Sequence, residues 1–152
     1  MNEKKFLVSN LSDFTEIIKY LFLKNSDKLY LVLTLQGDLG VGKTTFVKQL
    51  GLFLGVKENI GSPTFNILKT YELSNRKFKF NRLLHIDAYR LDNKKDVIPL
   101  KLGEEIIREG TVSCIEWPDV LSDILPEKVI NLKIKIIPKT EIREITVSGV
   151  EY

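Results

Sequence analysis

The chain has 152 residues, and its 23 Lys and Arg against 20 Asp and Glu give a net charge of +3. At about 150 residues per domain, this length predicts one domain over residues 1–152, and the near balance of charge gives no argument for direct binding to nucleic acid or membrane. A single cysteine excludes an internal disulfide, and one cysteine with one histidine excludes a Cys/His zinc site built within the chain.

From the pattern of its first residues we expect no targeting signal. Residues 1–5 are basic overall, but only three apolar residues follow, which is too few for the core of a signal peptide. No apolar run approaches the 18 or so residues of a membrane helix. We therefore expect a soluble cytoplasmic protein without a membrane partner.

The first half of the chain alternates helical and strand patterns. Asp13 is predicted to cap a helix whose apolar residues repeat at helical spacing, with Glu16 three positions later completing a capping box. The nearly continuous apolar run 29–35 predicts a buried strand. A glycine-rich turn and a helix through residue 54 follow, and Gly55 is a plausible stop.

The second half is richer in strands. Strands are predicted at 65–73, 78–87, 112–116, 129–137 and 143–150, with a short helix at 104–108. Strand and helix alternate early in the chain, which favours an α/β fold with a mostly parallel sheet. The hairpin around residues 74–77 and the strands of the C-terminal segment favour antiparallel additions.

Residues 37–44 read GDLGVGKT and satisfy the G-x-x-x-x-G-K-[ST] pattern of a phosphate loop. Glycines at three positions allow backbone N–H groups to turn inward around an anion, and the following helix directs its positive dipole end there. Lys43 can reach the β- and γ-phosphates, and the Thr44 hydroxyl can bind Mg²⁺. With a buried strand before it and an amphipathic helix after it, the loop predicts a three-layer P-loop NTPase-type domain.

Two acidic residues end predicted buried strands, Asp87 after the first and Glu116 after the second. Phosphoryl transfer needs a carboxylate that holds Mg²⁺ and a group that orients the nucleophile, and both residues are candidates. His85 shares a strand face with Asp87, and is either a partner of the site or a satisfied structural group. Cys114 lies inside an apolar strand and is expected to be inert.

Two further segments bear on nucleotide chemistry. The 61–65 turn carries Ser62 and Thr64, whose hydroxyls can meet a γ-phosphate or Mg²⁺ as in switch loops, although composition alone makes it an ordinary loop. Residues 93–96 match the N-K-x-D guanine-reading pattern, but no buried strand precedes them and no D-x-x-G stands in a switch position. We interpret this second segment as a solvated charge run.

In their order along the chain, four motifs resemble the TsaE family of small bacterial P-loop ATPases, which are required for threonylcarbamoyladenosine modification of tRNA. They are GDLGVGKTTF at 37–46, SPTF at 62–65, HIDAYR at 85–90 and IEW at 115–117. The phosphate loop alone is generic, whereas the combination with the other three motifs is specific. Val41 and Ala88 depart from the usual residues, and neither change removes a functional side chain.

The resemblance implies a role for each matched position. Lys43 binds phosphate and takes part in catalysis, Thr44 and Glu116 bind magnesium, and Asp87 is needed for hydrolysis. Ser62 and Thr64 form a switch-like loop. The nucleotide contacts that it implies are Asp13, Gly37, Asp38, Leu39, Gly40, Val41, Gly42, Lys43, Thr44 and Thr45, with Arg143 as a weaker candidate. His85, Tyr89, Arg90 and Trp117 are expected near the site.

The resemblance also implies ATP and Mg²⁺ as cofactors and the TsaB–TsaD heterodimer as partner, with tRNA reached only through that complex. Its function would be an ATPase supporting N6-threonylcarbamoylation of tRNA adenosine 37. Two alternatives remain open at the level of sequence. One is a nucleotide-gated binding module without significant turnover, and the other is a small P-loop kinase.

Overall fold

The computed structural model describes residues 2–63, 67–74, 78–91 and 101–150. Within these ranges it contains three α-helices and seven strands. The helices are α1 (Asp13–Asn25), α2 (Lys43–Leu54) and α3 (Leu102–Ile106). The strands are β1 (Glu3–Val8), β2 (Leu31–Gln36), β3 (Leu68–Glu72), β4 (Arg82–Asp87), β5 (Thr111–Glu116), β6 (Ile130–Ile136) and β7 (Arg143–Ser148).

All seven strands join one sheet in the order β1-β7-β6-β2-β5-β4-β3. The four central strands, β6, β2, β5 and β4, run parallel to one another. Strand β3 is antiparallel to β4 at one edge, and β7 and β1 extend the other edge by antiparallel pairing. This arrangement confirms the predicted parallel centre with antiparallel additions.

Of the central strands, β2, β4 and β5 are buried on both faces, which gives the fold its three layers, whereas β6 exposes Lys133 and Lys135 on one face. Successive side chains of a strand point to opposite faces, and on β2 the residues Leu31, Leu33 and Leu35 join the core beneath α1 and α2. Val32 points the other way and joins a second core with residues of α3. Burial on both faces explains why β2 is a nearly continuous apolar run. Strand β5 is equally buried but includes Thr111, Ser113 and Glu116.

Several element boundaries differ from the sequence prediction. Helix α1 has Ser12 at its N-cap position, and Asp13, predicted to be the cap, is the first helical residue. The Asp13 carboxylate accepts hydrogen bonds from the backbone N–H groups of Ser9 (2.7 Å) and Asn10 (3.1 Å), so it closes the preceding turn instead of capping the helix.

Strand β4 is shorter than predicted, and β1 was not predicted at all. Phe78 packs against the main core ahead of the strand, and pairing in β4 begins only at Arg82. Strand β1 is an edge strand with mostly exposed side chains, so it has no apolar pattern to identify it. None of the helices in the described part of the chain has the length and apolar character needed to cross a bilayer.

Candidate functional site

The phosphate loop connects β2 to α2, and two of its glycines are required by the geometry. A Cβ atom on Gly37 would collide with the backbone carbonyl of Ile134 in β6. Gly42 has φ = 113°, which side chains disfavour, and a Cβ there would lie 3.2 Å from Nε of Arg143. Helix α2 begins at the next residue, so its N–H groups open toward the loop.

Lys43 is buried at the start of α2. Its ammonium donates hydrogen bonds to the backbone carbonyls of Gly37 and Asp38, the latter at 3.0 Å, and lies 4.1 Å from the centre of the Trp117 ring. Burial lowers the pKa of Lys43, although nearby carboxylates, that of Glu116 first, act in the opposite direction. The cation is therefore held at the centre of the site by carbonyls and an aromatic face.

The two acidic residues predicted at strand ends lie side by side. Asp87 and Glu116 are register partners on the neighbouring parallel strands β4 and β5. The Thr44 hydroxyl lies 3.1 Å from each carboxylate oxygen of Glu116, although the two residues are 72 positions apart in sequence. Thr44 and Glu116 thus offer a pair of hard oxygen ligands next to the phosphate loop, as the Mg²⁺ prediction requires.

Asp87 is half-buried and is held from two sides. Oδ2 accepts a hydrogen bond from the Ser62 hydroxyl at 3.2 Å, and Oδ1 accepts one from the backbone N–H of Tyr89 at 3.0 Å. The backbone N–H of Asp87 itself donates to the carbonyl of Ile67 at 2.8 Å. The switch-like segment is therefore joined to the catalytic candidate through Ser62.

His85 and Glu116 form a buried contact. Nε2 of His85 lies 2.6 Å from Oε2 of Glu116, and both side chains are almost completely shielded from solvent. This places His85 against the predicted magnesium ligand. Cys114 is buried, and this burial raises the pKa of its thiol, in keeping with the predicted inert core residue.

The phosphate loop, Lys43, Asp87 and Glu116 surround a cleft of about 420 Å³, and His85 and Cys114 are not among its lining residues. Its lining includes most of the predicted site: Leu39, Gly40, Gly42, Lys43, Thr44, Thr45, Ser62, Asp87, Tyr89, Arg90, Glu116, Trp117 and Arg143. The Tyr89 and Trp117 rings are 5.0 Å apart at the cleft wall. Arg143 arrives from β7 and donates from Nε to the carbonyl of Val41 at 2.6 Å.

Some predicted residues do not join this group. Of the predicted nucleotide contacts, Asp13, Gly37, Asp38 and Val41 are not among the residues that line the cleft. The Asp13 carboxylate accepts hydrogen bonds from backbone N–H groups at the start of α1. Thr64 and the 93–96 segment lie outside the described residues. Within the described ranges, no three His, Cys, Asp or Glu side chains cluster as an all-protein metal site. A site of one hydroxyl and one carboxylate suits Mg²⁺, which takes its remaining ligands from phosphate and water.

The chain is similar to proteins of one family along most of its length. Residues 8–145 match the family described as "Threonylcarbamoyl adenosine biosynthesis protein TsaE". Curated proteins named "tRNA threonylcarbamoyladenosine biosynthesis protein TsaE" are among its relatives. The one from Treponema pallidum is 38% identical over 77% of this chain and 81% of its own. The protein from Bacillus subtilis is 36% identical over 78% of this chain and 70% of its own length.

A solved structure shows the same fold. The crystal structure of Bacillus subtilis YdiB superposes with a TM-score of 0.74 and 30% sequence identity. The match covers 99% of this chain and 87% of that one. The structural similarity is therefore not limited to the phosphate loop and its flanking elements, and it includes the antiparallel strands at the edges of the sheet.

Proposed function

Because the chain belongs to the TsaE family of threonylcarbamoyl adenosine biosynthesis proteins, we propose that it is a Mg²⁺-dependent ATPase that supports this tRNA modification. The observation that carries the proposal is the contact between Thr44 and Glu116 beside Lys43. A lysine, a hydroxyl and a carboxylate converge where the phosphate loop meets α2, which is the arrangement that phosphoryl transfer from a nucleoside triphosphate requires.

The phosphates are bound by the backbone N–H groups of the loop and by Lys43. Because Lys43 is buried, its charge acts in a medium of low polarity, where attraction to phosphate is stronger than in water. Thr44 and Glu116 would hold the magnesium ion through one hydroxyl and one carboxylate oxygen. When bound, that ion neutralises charge on the phosphate oxygens.

Asp87 positions the attacking water. Its carboxylate lies at the end of β4 in the cleft, and its hydrogen bonds from Ser62 and from the Tyr89 backbone fix its orientation. A carboxylate so held can accept a hydrogen bond from water and orient it toward a γ-phosphate. Ser62 joins this residue to the segment that we expect to respond to the γ-phosphate.

The proposed setting is the cytoplasm, in a complex with the TsaB–TsaD pair. In this proposal the partners bind the tRNA, and hydrolysis of ATP by the present chain resets the complex between rounds of modification. A net charge of +3 on 152 residues is consistent with a subunit that leaves RNA binding to its partners.

The test is phosphate release from Mg·ATP by the chain alone, with TsaB–TsaD, and with TsaB–TsaD plus tRNA. We expect slow release alone and faster release in the complex, and loss of the stimulation in Asp87→Ala. Absence of both stimulation and binding to the pair would contradict the proposal. Transfer of phosphate to a small acceptor would point to a kinase, and tight ATP-dependent binding without turnover would point to a gated binding module.

A further inference from the structure

His85 is the one histidine of the sequence, and it lies in the interior directly beneath the proposed metal site. Its residue exposure is 0%, and that of Glu116 is 3%. His85 precedes Asp87 by two positions on β4, so it occupies the same face of the sheet, one step further from the cleft. From there its ring reaches across to the Glu116 carboxylate on the neighbouring strand.

The two ring nitrogens of His85 have different surroundings. Nε2 lies 2.6 Å from Oε2 of Glu116, whereas Nδ1 is buried and, among the described residues, has no hydrogen-bond partner. An ionised carboxylate has no proton to donate, so the proton of this contact belongs to Nε2. A proton on Nδ1 would be a buried donor without an acceptor, which is unfavourable.

From this geometry we propose that His85, with its proton on Nε2, is a positioning residue that orients Glu116 for magnesium binding. The proposal rests on the proposed function, because it assigns a partner to the metal ligand of that site. His85 contacts Oε2, and the Thr44 hydroxyl lies 3.1 Å from both Oε1 and Oε2, so the carboxylate is held between a residue of β4 and a residue of α2. Partners of this kind set the direction of a ligand and the affinity of its metal.

Two substitutions separate this role from simple filling of the core. In His85→Gln the amide nitrogen reaches about as far as Nε2, so it can still donate to Glu116. In His85→Asn the amide nitrogen reaches only about as far as Nδ1, so the donor is lost while a polar side chain of similar type is kept. If His85 only filled the core, the two variants could differ in stability, but they would show the same dependence of nucleotide binding on Mg²⁺.

The measurement is binding of ADP, by calorimetry, over a series of Mg²⁺ concentrations and in EDTA. For His85→Asn we expect the Mg²⁺ concentration that gives half of the maximal increase in ADP affinity to rise about tenfold. The ADP affinity in EDTA should be unchanged. His85→Gln should stay within about threefold of the parent, since its donor is retained. Ser113→Ala is the matched control, because it removes a buried hydrogen bond from β5 to the carbonyl of Ile106 on the opposite face.

A second measurement needs no substitution and no metal. With one histidine in the chain, ¹⁵N spectra of protein purified without a histidine tag contain one imidazole, and its tautomer is read directly. A proton on Nδ1 would overturn the proposal. So would equal Mg²⁺ dependence in the parent and His85→Asn. If the parent itself shows no Mg²⁺-dependent nucleotide binding, the proposed function fails first, and the spectrum still decides the His85 contact.

Discussion

At the scale of single residues, Arg143 makes a contact that has a direct consequence for nucleotide binding. Its Nε donates to the Val41 carbonyl at 2.6 Å, and the side chain passes 3.2 Å from the Cβ that Gly42 lacks. Hydrogen bonds from charged donors contribute about 1.5–3 kcal/mol, so Arg143→Ala should weaken Mg·ATP binding about tenfold or more. Equilibrium binding measures this change.

The control for Arg143→Ala is Arg108→Ala, which removes a mostly exposed arginine far along the chain from the phosphate loop. Nucleotide affinity should be unchanged in that variant. If Arg143→Ala binds Mg·ATP as the parent does, the arginine does not shape the loop, and its place in the cleft has no energetic role in binding.

The residues of the site differ in how well the sequence reveals them. The phosphate loop can be predicted because its glycines and Lys43 lie within one short segment. Asp87 and Glu116 can be predicted because each ends a strand pattern. The contacts between these residues cannot be predicted in the same way. His85 and Glu116, for example, are brought together only by the pairing of β4 with β5. Arg143 reaches Val41 from 102 positions away, and no local pattern predicts such a contact.

At the scale of elements, the Arg82–Glu105 ion pair connects α3 to strand β4 of the sheet. Nη1 of Arg82 lies 2.6 Å from Oε2 of Glu105, and its Nη2 donates to the Glu105 carbonyl at 2.9 Å. The hydrogen bond from Arg82 lowers the pKa of Glu105 from its ordinary value near 4.5. The pair is partly exposed, so we expect Glu105→Gln to lower the free energy of unfolding at neutral pH by about 1 kcal/mol.

The sign of the pH dependence follows from that lowered pKa. Because folded Glu105 binds its proton more weakly than unfolded Glu105, its contribution is present above the unfolded pKa and lost as pH falls through the folded one. Urea unfolding at several pH values should show parent and Glu105→Gln converging in acid. The exposed neighbour Glu104→Gln serves as control. A stability difference that stays constant with pH would assign the effect to packing.

Strands with two buried faces are predicted from the sequence, and the mostly exposed edge strand β1 is not. The other edge strand, β3, lies within the strand predicted at 65–73. Strands β2 and β5 are almost entirely buried, and they are predicted because buried positions carry mostly apolar residues. Strand β1 is mostly exposed and is defined by its pairing with β7, from Glu3↔Ser148 to Val8↔Arg143. Because the two paired strands lie at opposite ends of the chain, the sequence of residues 3–8 alone does not predict the pairing.

At the scale of the whole molecule, the lining of the cleft runs from the phosphate loop to Arg143, so a nucleotide bound as proposed would contact both halves of the chain. A ligand at one hundred times its dissociation constant adds about 2.7 kcal/mol to the free energy of unfolding. For a domain of this size that corresponds to a rise in Tm of about 5–10 °C. We expect this rise with Mg²⁺ and a non-hydrolysable ATP analogue, and none in Lys43→Ala.

The same melting experiment tests whether residues 1–152 form one cooperative unit. The single tryptophan, Trp117, reports on the cleft by fluorescence, while far-ultraviolet circular dichroism reports on all helices and strands. If the chain is one domain, both probes should give the same Tm and shift together when the ligand is added. A ligand-induced shift seen by Trp117 alone would show that the cleft unfolds separately from the antiparallel edge formed by β1, β7 and β6.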